Sequence, residues 1–383
     1  MLTWVEIKKS AIQHNLKQFQ KIINGKAKIM AVVKSNAYGH GLMGIAELAV
    51  RAGADWLGVV NFAEALSLRR AKIKKPIFIL SFWQQDLQIK QGIKQDIDFP
   101  VYTLGQARFL SKTAQQIGKK ANIHVKIDTG TSRIGLLPEQ AVSFIKKVNR
   151  LPGLNLRGIF THYADSESKN QSYTNQQTVR LRRVLNDLKQ TGLEAPFVHA
   201  GCSASTINNP DTFFNLVRIG IGLYGLWPST ETKELAKKRK LKINLKPALT
   251  WKTKIIQIKQ VPKNTNVGYD QTFKTKKETK LAVLPIGYWD GYSRLLSNPS
   301  LTGSGKGEVL IRGRRCPVLG RVCMNLTMID VSKLDKVKIN DKVVLIGWQR
   351  KKQITAEEMA QKTKTINYEF VTRINPLIPR IYI

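Results

Sequence analysis

Ile29-Met-Ala-Val-Val-Lys-Ser-Asn-Ala-Tyr-Gly-His-Gly41 is a run of five apolar residues followed at once by a lysine and a glycine-containing turn. Such a run, bounded by turn residues, reads as a short strand buried on both faces, as strands of parallel sheets are. The same texture recurs outward from it. Apolar, β-branched runs at 29–33, 56–60, 77–80, 98–102, 122–127, 156–161, 196–199 and 216–219 alternate with helically spaced segments at 42–52, 62–70, 104–117, 139–149 and 173–190. A further helical segment at 10–23 precedes the first strand. Eight strand-and-helix units predict a (β/α)8 barrel of the TIM type, with right-handed crossovers between parallel strands. The helix between the third and fourth strands has the weakest pattern.

Beyond the lysine-rich stretch ending at Lys246 the pattern changes to short alternating runs at 249–260, 281–284, 308–312 and 342–346, with little helical spacing. The chain therefore divides into an α/β barrel over 1–234 and a mainly-β domain over 235–383, of about 140 to 150 residues. A length of 383 residues suits two domains.

Composition narrows the function classes. The chain is 42% hydrophobic and 23% charged, and no apolar run reaches the ~18 residues of a membrane span. The start of the sequence lacks the zones of a secretory signal, so a cytoplasmic protein is expected. Cys202, Cys316 and Cys323 form no CxxC pair, and the five histidines show no HExxH spacing, so neither a disulfide framework nor a metal site is expected. The net charge of +37 would attract polyanions. Its densest blocks, 233–246, 274–280 and 350–352, lie in stretches that read as linkers or exposed turns, without aromatic interleaving or a zinc finger to organise them. A nucleic-acid partner is not expected.

The chemistry lies at strand ends, where a barrel of this kind carries its reacting groups. Lys34 follows the first strand, Lys126 and Asp128 end the fifth, His162 ends the sixth, His199 and Ser203 follow the seventh, and Arg218 with Gly220 to Gly222 closes the eighth. A lysine at the rim of a buried strand is partly desolvated, which lowers its pKa and equips the amine for a Schiff base with a carbonyl compound. The competing reading is an ordinary solvated lysine among 63 basic residues. Gly220-Ile-Gly-Leu-Tyr-Gly225 matches GxGxxG, but residues 238–248 supply no acidic partner for a dinucleotide ribose. A phosphate cup formed with Ser203, or a plain tight turn, are the readings left. A Schiff-base lysine facing a phosphate cup calls for an aldehyde cofactor that carries a phosphate, and pyridoxal 5'-phosphate meets that description.

At this point the chain resembles the alanine racemase family. The resemblance rests on AVVKSNAYGHG at 31–41, KIDTGTSRIG at 126–135, FTHYA at 160–164, HAGCSAS at 199–205, VRIGIGLYG at 217–225, VGYDQTF at 267–273, LPIGYWDGYSR at 284–294, GRVCMNLTMIDV at 320–331 and INYEF at 366–370, in family order. It implies that Lys34 bears the cofactor and is one catalytic base, and that Tyr269, from the partner subunit of a head-to-tail homodimer, is the other. Two bases on opposite faces of a planar carbanion give racemisation of a small amino acid. Lys34 is implied to serve the D-enantiomer and Tyr269 the L-enantiomer, with D-alanine supplied for peptidoglycan. Arg218 matches the group that meets the pyridine nitrogen, and His162 the group that orients Arg218, although a histidine at a strand end is also commonly a packed core residue. Tyr38, Ser203, Gly220, Ile221 and Tyr368 match the phosphate contacts. Arg133 and the backbone of Met324 match the substrate-carboxylate contacts, Tyr288 an aromatic at the entrance, and Lys126 a lysine often carried as a carbamate. For Tyr269 and Tyr288 the competing reading is a pair of buried β-domain aromatics.

Three departures stand against the family pattern: Thr131-Ser132 before Arg133, Asn325 after Met324, and Cys202 before Ser203. Thr131 and Ser132 are expected to add hydroxyls on the pocket side, and Asn325 removes a negative charge near substrate. These changes leave open a broader racemase acting on serine or another small amino acid. A pyridoxal-phosphate carrier protein would not need the second domain, a basic-amino-acid decarboxylase differs in its motifs, and a polyanion-binding protein accounts for the charge alone.

Overall fold

The structure, a computed structural model, describes residues 1–84, 86, 88–303 and 305–383. The chain opens with β1 (Trp4–Ile7). Eight strands follow, β2 (Lys28–Val32), β3 (Trp56–Val59), β4 (Ile77–Ile79), β5 (Ile97–Val101), β6 (Ala121–Lys126), β7 (Leu154–Phe160), β8 (Phe197–His199) and β9 (Leu216–Ile219). They form one parallel sheet in the order β8-β7-β6-β5-β4-β3-β2-β9. The sheet closes through backbone hydrogen bonds from Asn215 N–H to the Val198 carbonyl (3.3 Å) and from Arg218 N–H to the Gly201 carbonyl (2.9 Å). This is the expected (β/α)8 barrel, and each of the eight strands overlaps its expected run. The weakly patterned helix between the third and fourth barrel strands is also present, over Gln88–Lys94.

Local chemistry accounts for these elements. The helix Ser172–Lys189 buries Thr174, Gln177, Thr178, Leu181, Val184 and Leu188, one face at helical spacing. Asn61 and Thr103 cap the helices Phe62–Arg70 and Leu104–Gln116 by accepting from Glu64 N–H and Gln106 N–H. Inside the barrel, Met30, Trp56, Phe78, Phe160 and Leu216 pack into one cluster, with Leu80 and Phe197 against it. Burying an aromatic of this size stabilises by roughly 2–3 kcal/mol, so the cluster is a main source of the barrel's stability.

The remaining strands are β10 (Leu249–Lys254), β11 (Gln257–Val261), β12 (Thr279–Leu284), β13 (Glu308–Ile311), β14 (Arg314–Leu319), β15 (Thr327–Asp330), β16 (Lys342–Gln349), β17 (Lys352–Ile354) and β18 (Arg380–Tyr382). With β1 they form a second sheet in the order β11-β12-β15-β14-β13-β16-β10-β1-β18, β17 pairing with β16. All its pairings are antiparallel except that of β1 with β18. The alternating run expected over 249–260 is two strands. Ile255 and Ile256 break it, and β10 and β11 pair with different neighbours.

A single cut between residues 234 and 235 does not describe the division of the chain. One compact unit comprises residues 10–37 and 42–246, the other residues 1–9, 38–41 and 247–383. β1 belongs to the second unit because its backbone pairs with β10 on one side and β18 on the other. Residues 38–41 belong there because Arg380 Nε donates to the Gly39 carbonyl (3.0 Å) and the Tyr382 hydroxyl to the His40 and Gly41 carbonyls (both 3.1 Å). The lysine-rich segment up to 246 stays with the barrel, where the Asn15 side chain bonds the Lys246 backbone in both directions (2.8 and 2.9 Å).

Candidate active site

The backbone departs from ordinary geometry directly after β2. Ser35, Asn36, Ala37 and Tyr38 all have φ between 51° and 56°, a full left-handed turn of non-glycine residues. Each such residue costs about 1–2 kcal/mol, so the turn needs anchors, and strain of this kind collects at functional sites. Glu64 is the main anchor, accepting from Asn36 N–H (3.0 Å) and Val60 N–H (3.1 Å), while Asn36 Oδ1 accepts from Leu42 N–H (2.9 Å). The turn starts at Lys34, which is half-buried. Burial pushes its amine below the ordinary lysine range, the Arg133 cation pushes it further, and Glu64 opposes them. Glu64 was not among the expected site residues, because its role depends on a contact across two βα units.

Arg133 stands on the exposed loop after β6. Asp128 builds that loop, its Oδ1 accepting from Gly130 N–H (2.9 Å), Thr131 N–H (2.7 Å) and the Thr131 hydroxyl (3.1 Å), and its Oδ2 from Arg133 N–H (2.9 Å). The Thr131 hydroxyl is thus committed to Asp128 and does not add a donor on the pocket side, a correction to the expectation for that residue. Gly135 completes the loop at φ 124°, where a Cβ would lie 2.8 Å from Asp128 N.

Burial raises the Asp128 carboxyl, but the hydrogen bonds from Gly130, Arg133 and Thr131 outweigh it and leave the pKa at about 2 against an ordinary 3.8. A carboxylate held below its unfolded value stabilises fully above that value, and the contribution is lost as pH falls through the folded one. Asp128→Asn is therefore expected to cost about 2 kcal/mol at pH 7. The gap between wild type and variant should close between about pH 4 and pH 2 as Asp128 protonates. Urea unfolding midpoints across that range check it; a gap independent of pH would assign the loss to something other than the carboxylate.

Lys126 ends β6 almost completely buried, its Nζ 4.6 Å from the Phe160 ring centroid. Burial, then the cations of Arg218 and Arg133, hold its amine well below the ordinary lysine range. A lowered pKa favours the neutral, nucleophilic form of the amine.

Arg218 lies in β9, buried, with its terminal nitrogens fully engaged. Nη1 donates to His199 Nδ1 (2.8 Å) and the His199 carbonyl (2.9 Å), and Nη2 to the Thr161 and Ala200 carbonyls (both 2.8 Å) and His162 Nδ1 (3.2 Å). None of these contacts uses Nε. Because a guanidinium only donates, His162 and His199 both accept at Nδ1. Both are held well below the ordinary histidine range, by burial first and the Arg218 charge next. His162 is therefore a direct hydrogen-bond partner of Arg218, and His199 is a second.

Ser203 starts the helix Ser203–Asn208. Its Oγ accepts from the N–H groups of Gly220 (3.0 Å) and Gly222 (3.2 Å), which ties the start of this helix to the glycine turn after β9. Ile221, between the two glycines, is buried. Before Ser203, the Cys202 thiol lies 3.1 Å from the Ser166 hydroxyl. The barrel thus offers an amine poised below its usual pKa, a serine hydroxyl set against a glycine turn, and one guanidinium N–H left over. That donor set fits a phosphorylated aldehyde with an acceptor nitrogen in its ring.

The other unit carries the remaining expected residues. Tyr38 and Tyr368 lie together, ring centroids 6.2 Å apart. Tyr288 and Met324 are brought together by hydrogen bonds from Tyr288 N–H to the Cys323 carbonyl and Trp289 N–H to the Met324 carbonyl (both 3.0 Å). Tyr269 is 66% exposed and Tyr288 43%, so neither is a buried β-domain aromatic. Asn325 hydrogen-bonds Asp290, whose carboxyl is raised by burial.

The sequence matches the family models described as alanine racemase, N-terminal domain, over residues 7–228 and alanine racemase, C-terminal domain, over residues 248–382. It is 42% identical to an alanine racemase of Methanococcus maripaludis, the alignment covering 99% of this chain and 98% of that protein. The fold superposes on an alanine racemase of Clostridium difficile 630 with a TM-score of 0.92 at 33% identity, covering 100% of this chain and 96% of the other. A histidine racemase of Leuconostoc mesenteroides superposes with a TM-score of 0.89 at 27% identity, covering 100% and 98%.

Proposed function

Because the chain belongs to the alanine racemase family, we propose that it interconverts L- and D-alanine with pyridoxal 5'-phosphate as its cofactor. The observation that carries this reading is the rim formed by Lys34, Arg218 between His162 and His199, and Ser203 bonded to the Gly220–Gly222 turn. The bound cofactor supplies an electron sink that makes the α-proton of the amino acid removable. Lys34 Nζ bears the cofactor and handles the α-proton of the D-enantiomer, while Tyr269 Oη, from a second copy in a head-to-tail dimer, handles that of the L-enantiomer. Its exposure suits such a role.

Arg218 would hold the ring nitrogen with its remaining Nε–H and, as a guanidinium, would keep its proton, which would moderate the sink and limit side reactions. Ser203, Tyr38, Tyr368 and the backbone N–H groups of Gly220 and Ile221 hold the phosphate. Arg133 and the Met324 backbone take the substrate carboxylate, with Tyr288 at the entrance. Lys126, its pKa lowered by burial and by the Arg218 and Arg133 cations, is the group to carry a carbamate, whose charge relieves their crowding. The product D-alanine serves peptidoglycan in the cytoplasm. No helix among the described residues is long and apolar enough to cross a membrane.

Racemisation measured across alanine, serine, lysine and arginine tests the proposal. Alanine is expected to turn over fastest. A rate on serine equal to or above that on alanine would replace the reading with a broader racemase, which the changes at Ser132 and Asn325 favour. No turnover of any of the four would overturn both.

A further inference from the structure

The hydrogen bonds of Arg218 continue away from the rim into the barrel. His199 Nε2 lies 2.9 Å from His124 Nδ1, His124 Nε2 lies 2.9 Å from Asp98 Oδ2, and Asp98 Oδ1 accepts from Arg157 Nη1 at 3.0 Å. The chain crosses four strands, β9, β8, β6 and β5, and ends on a fifth, β7. Asp98, His124 and His199 are fully buried.

The arginine at each end determines every proton between them. Arg218 has no acceptor, so His199 Nδ1 carries a lone pair and the ring's proton is on Nε2. That proton is donated to His124 Nδ1, which places the His124 proton on Nε2, donated in turn to Asp98. A concerted shift of both protons toward Arg218 would set one donor against another, so the array is not a proton wire. It acts as a rigid polar strut. Burial holds both imidazoles below the ordinary histidine range, consistent with neutral rings.

Two features of the backbone make room for the strut. The β6–β7 register shifts between Ile123 and His124, pairing Ile123 with Leu156 and His124 with Gly158, so Arg157 is the bulged residue. A bulge re-aims a side chain. Here the guanidinium reaches Asp98 and lies 4.5 Å from the Trp56 ring centroid. At Gly158 a Cβ would fall 2.0 Å from His124 Nδ1, so only glycine leaves that ring its place.

We propose that Asp98 and His124 are positioning residues of the cofactor site, holding the Arg218 guanidinium through His199 in the orientation that leaves Nε–H for the cofactor's ring nitrogen. This role rests on the cofactor assignment proposed above. Each bond in the chain strengthens the next acceptor, so the Asp98 charge is felt at His199 Nδ1 and stabilises Arg218 as a cation.

Full-length wild type, Asp98→Asn and Asp98→Leu, stripped of cofactor, are titrated with pyridoxal phosphate and with its analogue bearing CH in place of the ring nitrogen. Asp98→Leu is expected to weaken pyridoxal phosphate binding about tenfold, the loss of one charge-assisted hydrogen bond, and to change analogue binding by less than about twofold. Asp98→Asn, which keeps an acceptor for His124, is expected to restore most of the affinity. Equal weakening for both ligands, or none for either, overturns the proposal. Wild type that binds neither ligand overturns the cofactor assignment and this role with it, an outcome distinct from a failure of the strut alone. A second measurement needs no substitution at Asp98. In ¹⁵N NMR spectra of the wild-type protein, which has five histidines, the His124 and His199 rings are expected to be neutral and protonated at Nε2. A proton on Nδ1 of either ring overturns the proposal.

Discussion

Lys34→Ala is expected to yield a folded protein that carries no cofactor chromophore and has lost racemisation by a factor of order 10³ or more. The amine stands at the end of β2, lowered in pKa by burial and by Arg133, so more of it is neutral and nucleophilic at pH 7 than of a solvated lysine. Alanine offers no amine in its place. Folding should persist, because removing the amine takes a cation away from Arg133 and leaves the Glu64 anchor of the following turn intact. Absorbance of the purified variant and polarimetry on L- and D-alanine check this. A chromophore that survives the substitution would remove Lys34 from its proposed place.

Tyr269→Phe is expected to slow α-proton exchange from L-alanine by about 10²–10⁴-fold, with exchange from D-alanine far less affected. Tyr269 occupies a turn in which Gly268, Asp270 and Gln271 all have positive φ. Arg294 and Arg321 lie within 3.5 and 3.7 Å of the Asp270 carboxylate. The turn therefore presents the phenol outward and does not bury it, so loss of the hydroxyl should change stability by no more than about 0.5 kcal/mol. Isotope exchange from each enantiomer in deuterated water separates the two directions. Equal losses would contradict a division of labour between Lys34 and Tyr269.

Legibility of the site followed the range of the interactions. Lys34, Lys126, His162, Ser203 and Arg218 could be picked out because each lies at or beside the end of an apolar run, and barrel strands end on one rim. Glu64 could not, since it sits in an ordinary first helical turn and its partner in the strained turn, Asn36, is brought near only by the fold. Asp98 did carry a signal. A carboxylate inside the run at 98–102, read as buried, requires a partner, and that requirement points into the barrel. Its actual partners, His124 and Arg157, are 26 and 59 residues away. Thr131 shows the opposite case, a polar side chain expected to face the pocket that instead satisfies the loop beneath it.

By itself the sequence determined the barrel, its eight strands and the strand-end residues, because apolar runs and the residues that terminate them are local properties of the chain. Tertiary structure alone decided that Trp4–Ile7 is a strand of the second sheet and that Arg157 is bulged toward Asp98. It also decided that Asp98, His124, His199 and Arg218 form one hydrogen-bonded line. Those facts depend on the register between strands distant in sequence. A shift of one residue in β6 or β7 would turn the same side chains to the other face of the sheet.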